Sequence, residues 1–308
     1  MNVLVTGGAG FIGSWLAEGL LERGHSVWIV DDLSTGFRQN VPDAAHFLEA
    51  DLCSSEAQDW IRAARPEVVF HQAAQLDVRK SVADPAFDAR VNILGTLHLL
   101  ESCVATGVRQ FIFASSGGTV YGEPEAIPVP ENHPIRPVSP YGIAKASVEM
   151  YLDYYRQQYG LTTCSLRYGN VYGPRQNPHG EAGVVAIFGQ KLLAGQQPVI
   201  NGTGEQTRDY VYVRDVVAAN LAAFDRLACG AYNIGTGIET NVVQIFEHLN
   251  ARTGYPLERV HGPAKAGEQQ RVALDCALAS RELGWRAEVD LDAGLGETFA
   301  WFQRHHTP

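Results

Sequence analysis

Short apolar blocks alternate with longer amphipathic ones through the first half of the chain. Val3-Leu4-Val5, Val27 to Val30, Val68-Val69-Phe70, Phe111-Ile112-Phe113 and Thr163 to Leu166 read as strands, with His46-Phe47-Leu48 a weaker one. Helical spacing fills the gaps. Ile12, Trp15, Leu16 and Leu20 mark a helix from Phe11 to Arg23, stopped by Gly24. Others are expected near 57–64, from about Pro85 to Ala105 (Ile93, Leu97, Leu100 and Val104 on one stripe), and from Pro140 to Tyr159. Strands this apolar must be covered on both faces, so the pattern predicts an α/β fold: a doubly wound parallel sheet wrapped by helices. Beyond Asn170 the regularity fades and Gly and Pro become frequent. Helices are expected near 183–194, 213–226, 241–253 and 276–283 in a smaller, mixed C-terminal lobe. Ala231 to Ile234 is expected to return to the main sheet, so the units read as 1–169, rejoined near 231–235, and 170–308.

Composition removes several classes. With 24 Lys and Arg against 34 Asp and Glu, the 308-residue chain has a formal net charge of −10, so a nucleic-acid partner is not expected. No apolar run reaches the ~18 residues of a membrane span, and the N-terminus lacks the basic start of a signal peptide. The five cysteines are scattered and never in C-x-x-C spacing. They read as reduced thiols of a cytoplasmic protein. The ten histidines show no metal-ligand spacing, and no metal is assigned.

Candidate chemistry begins at Thr6-Gly7-Gly8-Ala9-Gly10-Phe11-Ile12-Gly13, which follows a strand and opens a helix. The spacing is that of a dinucleotide turn. One glycine makes the bend, one lets the backbone touch pyrophosphate, and one lets helix and strand pack closely, with the helix N-terminus facing the anion. A glycine-rich turn with no ligand is the plain alternative. The second strand ends in Asp31-Asp32, eighteen residues beyond Gly13, where a carboxylate accepts from ribose hydroxyls and repels a 2′-phosphate. That favours NAD in a Rossmann-type sheet. Further on, Ser139-Pro140 opens a helix that sets Tyr141 and Lys145 one turn apart on one face. A free phenol, with pKa ~10, is a poor base at neutral pH, and a neighbouring ammonium favours its phenolate. The pair therefore suits proton abstraction from a substrate hydroxyl. The bland reading is a surface Tyr beside an extended Lys.

Turn, acidic stop and Tyr-x-x-x-Lys stand in the order of the extended short-chain dehydrogenase/reductase family, which the whole chain resembles. The resemblance is strongest to nucleoside-diphosphate-sugar 4-epimerases of the UDP-glucose/UDP-galactose type. Supporting stretches are His71 to Gln75, Val91-Asn92-x-x-Gly95-Thr96, Ser115 to Gly122, Leu166 to Pro174 and Gln206 to Val211. The resemblance implies an NAD site made of Gly7, Gly10, Phe11, Ile12, Gly13, Asp31, Asp32, Ser34, Thr35, Gly36, Asp51, Leu52, Ala73, Ala74, Gln75, Asn92, Ser115, Tyr141, Lys145 and Tyr168. It implies a nucleotide-sugar site at Ser116, Tyr141, Asn170, Val184, Asn201, Arg208, Lys265, Glu268 and Val272. It also implies a homodimer formed through the helices near 85–105 and 140–159.

Three positions depart from the family pattern. Gly117 stands where a catalytic Ser or Thr is usual, and the neighbouring Ser116 is the candidate substitute, although it also suits a local backbone cap at the strand end. Asn201 replaces an aromatic ring that many relatives place against uracil. Lys265 replaces Arg and loses the bidentate fork; it and Glu268 also suit a solvated loop. The positions where related dehydratases carry an Asp-Glu pair are Gly118-Thr119, and related decarboxylases carry a Glu at Thr119. Neither acid is present. Oxidation and re-reduction at C4 of a UDP-sugar is the remaining expectation. Val272, where some epimerases carry Tyr, leaves room for N-acetyl sugars. The alternatives are a uronate 4-epimerase or another nucleotide-sugar oxidoreductase, and a non-catalytic NAD-binding protein.

Overall fold

The computed structural model describes residues 1–178, 183–264 and 269–305. Asn2–Thr6 (β1) leads through the glycine turn into Phe11–Glu22 (α1) and Ser26–Asp31 (β2). His46–Glu49 (β3), Ser55–Ala64 (α2) and Val68–His71 (β4) follow. Val78–Ala83 (α3) and Pro85–Ala89 (α4) precede Gly95–Thr106 (α5), Gln110–Ser116 (β5), Pro140–Tyr159 (α6) and Thr162–Tyr168 (β6). The second half runs Asn170–Tyr172 (β7), Val184–Leu193 (α7), Ile200–Asn201 (β8), Thr207–Arg208 (β9), Tyr210–Tyr212 (β10) and Val213–Asp225 (α8). It continues with Gly230–Ile234 (β11), Thr240–Asn241 (β12), Val242–Asn250 (α9), His261–Gly262 (β13), Ala277–Leu283 (α10) and Leu291–His305 (α11).

Seven strands form one parallel sheet in the order β3-β2-β1-β4-β5-β6-β11. Strand order reverses between β1 and β4, which opens a crevice at their carboxyl ends. Alternation along β1 divides the core. Val3 and Val5 join Leu16, Ala17 and Leu20 of α1 and Val216 of α8 on one face. Leu4 turns to the other, with Ala57 and Ile61 of α2, Leu99 and Leu100 of α5, and Val148 and Leu152 of α6. Two-stranded pairings β7–β10, β9–β12 and β8–β13 build the second lobe around Tyr172, Phe188, Phe246 and Phe299. No described helix is long and apolar enough to cross a membrane.

Two features differ from the periodicity. The helix expected over 85–105 is α4 and α5 joined by a π-helical turn, Arg90–Leu94, which carries the buried Asn92. The final helix α11 is absent from the sequence pattern. Leu295, Phe299 and Phe302 bury one face of it, but Gly294 and Gly296 dilute the helical signal. The structure explains Gly294: a Cβ there would lie 2.2 Å from the Tyr172 hydroxyl oxygen. Tyr172 is itself enclosed between Tyr210 and Tyr212 and has little room to move.

That contact decides between two opposed effects. Alanine is the better helix former by about 1 kcal/mol, whereas overpacking a closed core costs about 1–3 kcal/mol. Gly294→Ala is therefore expected to lower the urea midpoint without changing the slope; an unchanged or raised midpoint would refute the packing argument.

Candidate active site

The glycine turn is built for close approach. Gly7 has φ +70°, and a Cβ on it would meet the Ala73 nitrogen at 2.6 Å; one on Gly13 would meet the Gly7 oxygen at 2.1 Å. Gly10, at the N-cap of α1, has no side chain to cap the first turn, so the positive end of the helix faces the crevice uncapped. Phe11 and Ile12 turn their side chains into the lobe and sheet cores. Gly36 packs on the turn from outside, its Cβ position 2.9 Å from the Ala9 carbonyl.

Asp31, at the end of β2, is buried and accepts from the Ala9 amide at Oδ2 and the Leu33 amide at Oδ1, both 2.9 Å. Burial raises its pKa against those hydrogen bonds. Each oxygen keeps a second lone pair, the capacity a ribose diol needs. Asp32 is exposed and accepts from the Ser34 amide and hydroxyl, and the Thr35 carbonyl accepts from Asn177 Nδ2. Asp51 accepts from the Cys53 amide and pairs with Arg90 at 2.6 Å. Partial burial works against that charge, but these partners outweigh it and hold the pKa low. Leu52 packs beneath Gly95.

Behind the turn runs an ordered chain of hydrogen bonds. The Ala73 amide donates to Thr6 Oγ1, which lies 2.6 Å from His71 Nδ1; His71 Nε2 lies 2.8 Å from Thr96 Oγ1, which donates to the Asn92 carbonyl. Since Thr96 donates onward, it accepts from His71, which fixes the neutral Nε2–H tautomer. Burial, then the Lys145 charge, pulls His71 down to about 3. Asn92 clamps the next loop, with Oδ1 accepting from the Gln75 amide and Nδ2 donating to the Gln75 carbonyl. Ala74 lies between these two anchor points.

Lys145 is 2% exposed. Its ammonium donates to the Ala114 carbonyl at 2.8 Å and lies 4.6 Å from the Phe113 ring and 5.6 Å from the Tyr141 ring. Burial lowers its pKa to about 8, while Asp88 and Glu149 oppose the shift. Ser139 caps α6 through the Gly142 amide, and the Tyr141 amide donates to Ser81 of α3.

At the end of β5 the two serines diverge. The Ser115 hydroxyl donates to Glu149, itself paired with the buried Arg167. The Ser116 hydroxyl has no partner among the described residues. A Cβ on Gly118 would sit 3.9 Å from Ser116 Oγ and 3.8 Å from Asn170 Oδ1, so Ser116 and Asn170 flank the same space. Gly117 faces elsewhere: its Cβ would meet Leu274 at 2.6 Å, so a side chain there would strike the core. Tyr168 turns its hydroxyl to Asn220 and Gln72, and its carbonyl accepts the Gly117 amide.

Other predicted residues lie on the lobe. Val184 opens α7 behind Gly183, Asn201 ends β8, and Arg208 ends β9. Asp209 ties Arg208 to the pocket: its carbonyl accepts the Asn170 amide at 2.6 Å. Its buried carboxylate accepts from Thr236, Gly237 and Leu274. Val272 is enclosed with Val120, Tyr121, Val129 and Leu274. Lys265 and Glu268 lie outside the described residues. Sequence reasoning missed roles for His71, Asp88, Glu149 and Asp209. His71 and Asp209 fall within the family-like stretches His71 to Gln75 and Gln206 to Val211, but Asp88 and Glu149 have no signal that separates them from solvated acids.

The residues present fit a dinucleotide: a cradle closed to any Cβ, an uncapped helix end and a buried carboxylate at the β2 terminus. Comparison with known proteins agrees. Residues 3–235 match the model of the NAD dependent epimerase/dehydratase family. A UDP-glucose 4-epimerase of Mycolicibacterium smegmatis is 44% identical over 98% of this chain and 99% of its own. A Thermotoga maritima UDP-glucose 4-epimerase structure with UDP-glucose has a TM-score of 0.96 at 48% identity, covering 99% of both chains. One from Thermus thermophilus, in complex with NAD, has a TM-score of 0.93 at 44% identity, covering 98% of this chain and 99% of that one. The chain belongs to the NAD dependent epimerase/dehydratase family.

Proposed function

We propose that the chain is an NAD-dependent 4-epimerase of UDP-sugars, acting on the UDP-glucose/UDP-galactose pair. One observation carries the reading: a fully buried ammonium, Lys145, stands one helical turn from Tyr141 at the edge of a crevice shaped for a dinucleotide. The similarity to UDP-glucose 4-epimerases over nearly the whole chain supports it.

NAD, when bound, supplies the hydride acceptor and donor for the sugar C4. The glycine turn and the α1 N-terminus would hold its pyrophosphate, with Asp31 and Asp32 at the adenosine ribose and Ser34 to Gly36, Asp51 and Leu52 bordering the adenine side. Ala73 to Gln75, Asn92, Ser115 and Tyr168 would shape its nicotinamide side. Tyr141 takes the proton of the sugar 4-hydroxyl, because the Lys145 charge favours its phenolate. Ser116 hydrogen-bonds the same oxygen in place of the hydroxyl missing at Gly117. Asn170, Val184, Asn201 and Arg208 grip the nucleotide, together with Lys265 and Glu268, while a loose sugar subsite lets the ketone turn over before reduction from its other face. Strong anchoring of the diphosphate with weak holding of the sugar is the division this chemistry requires. Residues 1–169 with the strand at 230–234 form the cofactor unit in this reading, and the remainder of 170–308 forms the sugar-nucleotide lobe. Free thiols at all five cysteines suit a reducing cytoplasm.

The assembly we propose is a homodimer. Ile143, Met150, Tyr151 and Tyr154 form an exposed apolar stripe along α6, with Val82 and Leu94 exposed on the neighbouring helices. Packed against its equivalent in a second copy, this surface makes a four-helix bundle.

Incubation with UDP-glucose should yield UDP-galactose without net NADH. Tyr141→Phe should lose about 10²–10⁴-fold in kcat while retaining NAD; equal rates would end this reading. Ser116→Ala, which removes one hydrogen bond to a developing charge, should lose about ten- to a hundredfold. Loss of the Lys145 ammonium should make kcat fall above pH about 8. Met150→Glu should give the monomer mass by light scattering, with a parent that is already monomeric refuting the dimer.

A further inference from the structure

Beneath the catalytic pair lies a carboxylate that the proposed mechanism does not use. Asp88, on α4, is 1% exposed. Its Oδ1 accepts from Gln75 Nε2 at 2.8 Å and from Asn92 Nδ2 at 3.0 Å. Both donors are neutral amides, and no cation lies within ion-pair distance of Asp88 among the described residues. Lys145 is in the complementary position: an enclosed ammonium whose one hydrogen bond goes to a carbonyl, with no carboxylate within ion-pair distance among the described residues. A buried charge without compensation costs several kcal/mol. Two such charges of opposite sign, carried by the helices α4 and α6 that pack against each other, compensate each other.

We propose that Asp88 is the countercharge of Lys145 and a positioning residue for the reaction, joining the ammonium and the Gln75 loop in one buried polar unit. The inference rests on the Tyr141–Lys145 reading above. Each other group facing Lys145 is already balanced or neutral. Glu149, on the same helix, is matched by Arg167 and by the Ser115 hydroxyl. His71, from β4, is held neutral by its two threonine partners and by burial. Tyr141 contributes no charge until it gives up its proton. Phe113 and Ala114, from β5, offer a ring face and a carbonyl. Asp88 also acts on the loop beside the crevice. The Gln75 amide that it holds belongs to a side chain whose Oε1 accepts the Asp77 amide, while Asn92 fastens the Gln75 backbone. Of the charges that keep the Lys145 ammonium protonated, Asp88 is the stronger and Glu149 the weaker.

Asp88→Asn tests this, since it removes the charge and keeps an acceptor for Gln75 and Asn92. The chain has four lysines, at 80, 145, 191 and 265, so carbon-13 lysine spectra resolve Lys145 once the other three are assigned by substitution with Arg. The Lys145 titration midpoint should fall by about one pH unit or more in Asp88→Asn, with and without NAD. The alkaline limb of kcat should move down by the same amount, because the ammonium is lost at lower pH. NAD affinity within about threefold of the parent reports an intact fold. A Lys145 midpoint unmoved to within about 0.3 pH unit overturns the proposal. Asp88→Ser, which leaves room for water, carries the same expectation if the Asn variant does not fold. A parent that binds NAD but turns over no sugar nucleotide would remove the functional reading, and the titration would still decide the role of Asp88.

Discussion

An ammonium withdrawn from water must be compensated, and the position of Lys145 organises much of what surrounds it. The β5 carbonyl of Ala114 accepts from it, the face of Phe113 lies against it, and two carboxylates hold its charge. Those carboxylates arrive from different elements, and each is fastened by further partners. Glu149 is gripped by Arg167 and Ser115, and Asp88 by Gln75 and Asn92. Through these partners the charge on one side chain connects the helix carrying Tyr141 to the loops beside the cofactor crevice. The π turn at Arg90–Leu94 belongs to the same arrangement, since Asn92 stands within it and binds the Gln75 backbone.

The cofactor side and the lobe side are built differently. At the glycine turn the backbone approaches so closely that a single added carbon would collide with main-chain atoms. Such a surface is rigid because there is no space for adjustment. Across the crevice, the lobe joins two-residue and three-residue strand pairs to helices α7, α9 and α11. Asp209 ties part of it together: a fully buried carboxylate that gathers donors from two separate segments beside Arg208. A tight frame for one ligand thus faces a stitched, irregular surface for another.

The missing hydroxyl at Gly117 has a packing explanation. Its Cβ direction leads into Leu274, while Ser116 and Asn170 flank the space beside Gly118. The turn that begins with the Ser116 carbonyl accepting from Thr119 and Val120 sets these directions. A substitution that reads as a loss in sequence is, in three dimensions, an exclusion imposed by the neighbouring core.

Continuous apolar runs and period-3.6 hydrophobicity determined the strand–helix alternation, because burial of a strand on both faces and of a helix on one imposes those patterns locally. The glycine spacing, the acid at the β2 terminus and the Tyr141–Lys145 turn were equally legible, since each depends on residues a few positions apart. Distant contacts decided the rest. Helix α11 is stable because Leu295 and Phe299 meet Phe188 and Phe246, a pairing that local propensity weakened by two glycines does not reveal. Asp88 and Glu149 look like surface acids when read in line. Only the folded chain removes them from water and supplies their donors, and an acid's role is set by how dry its surroundings are and by the charges it faces.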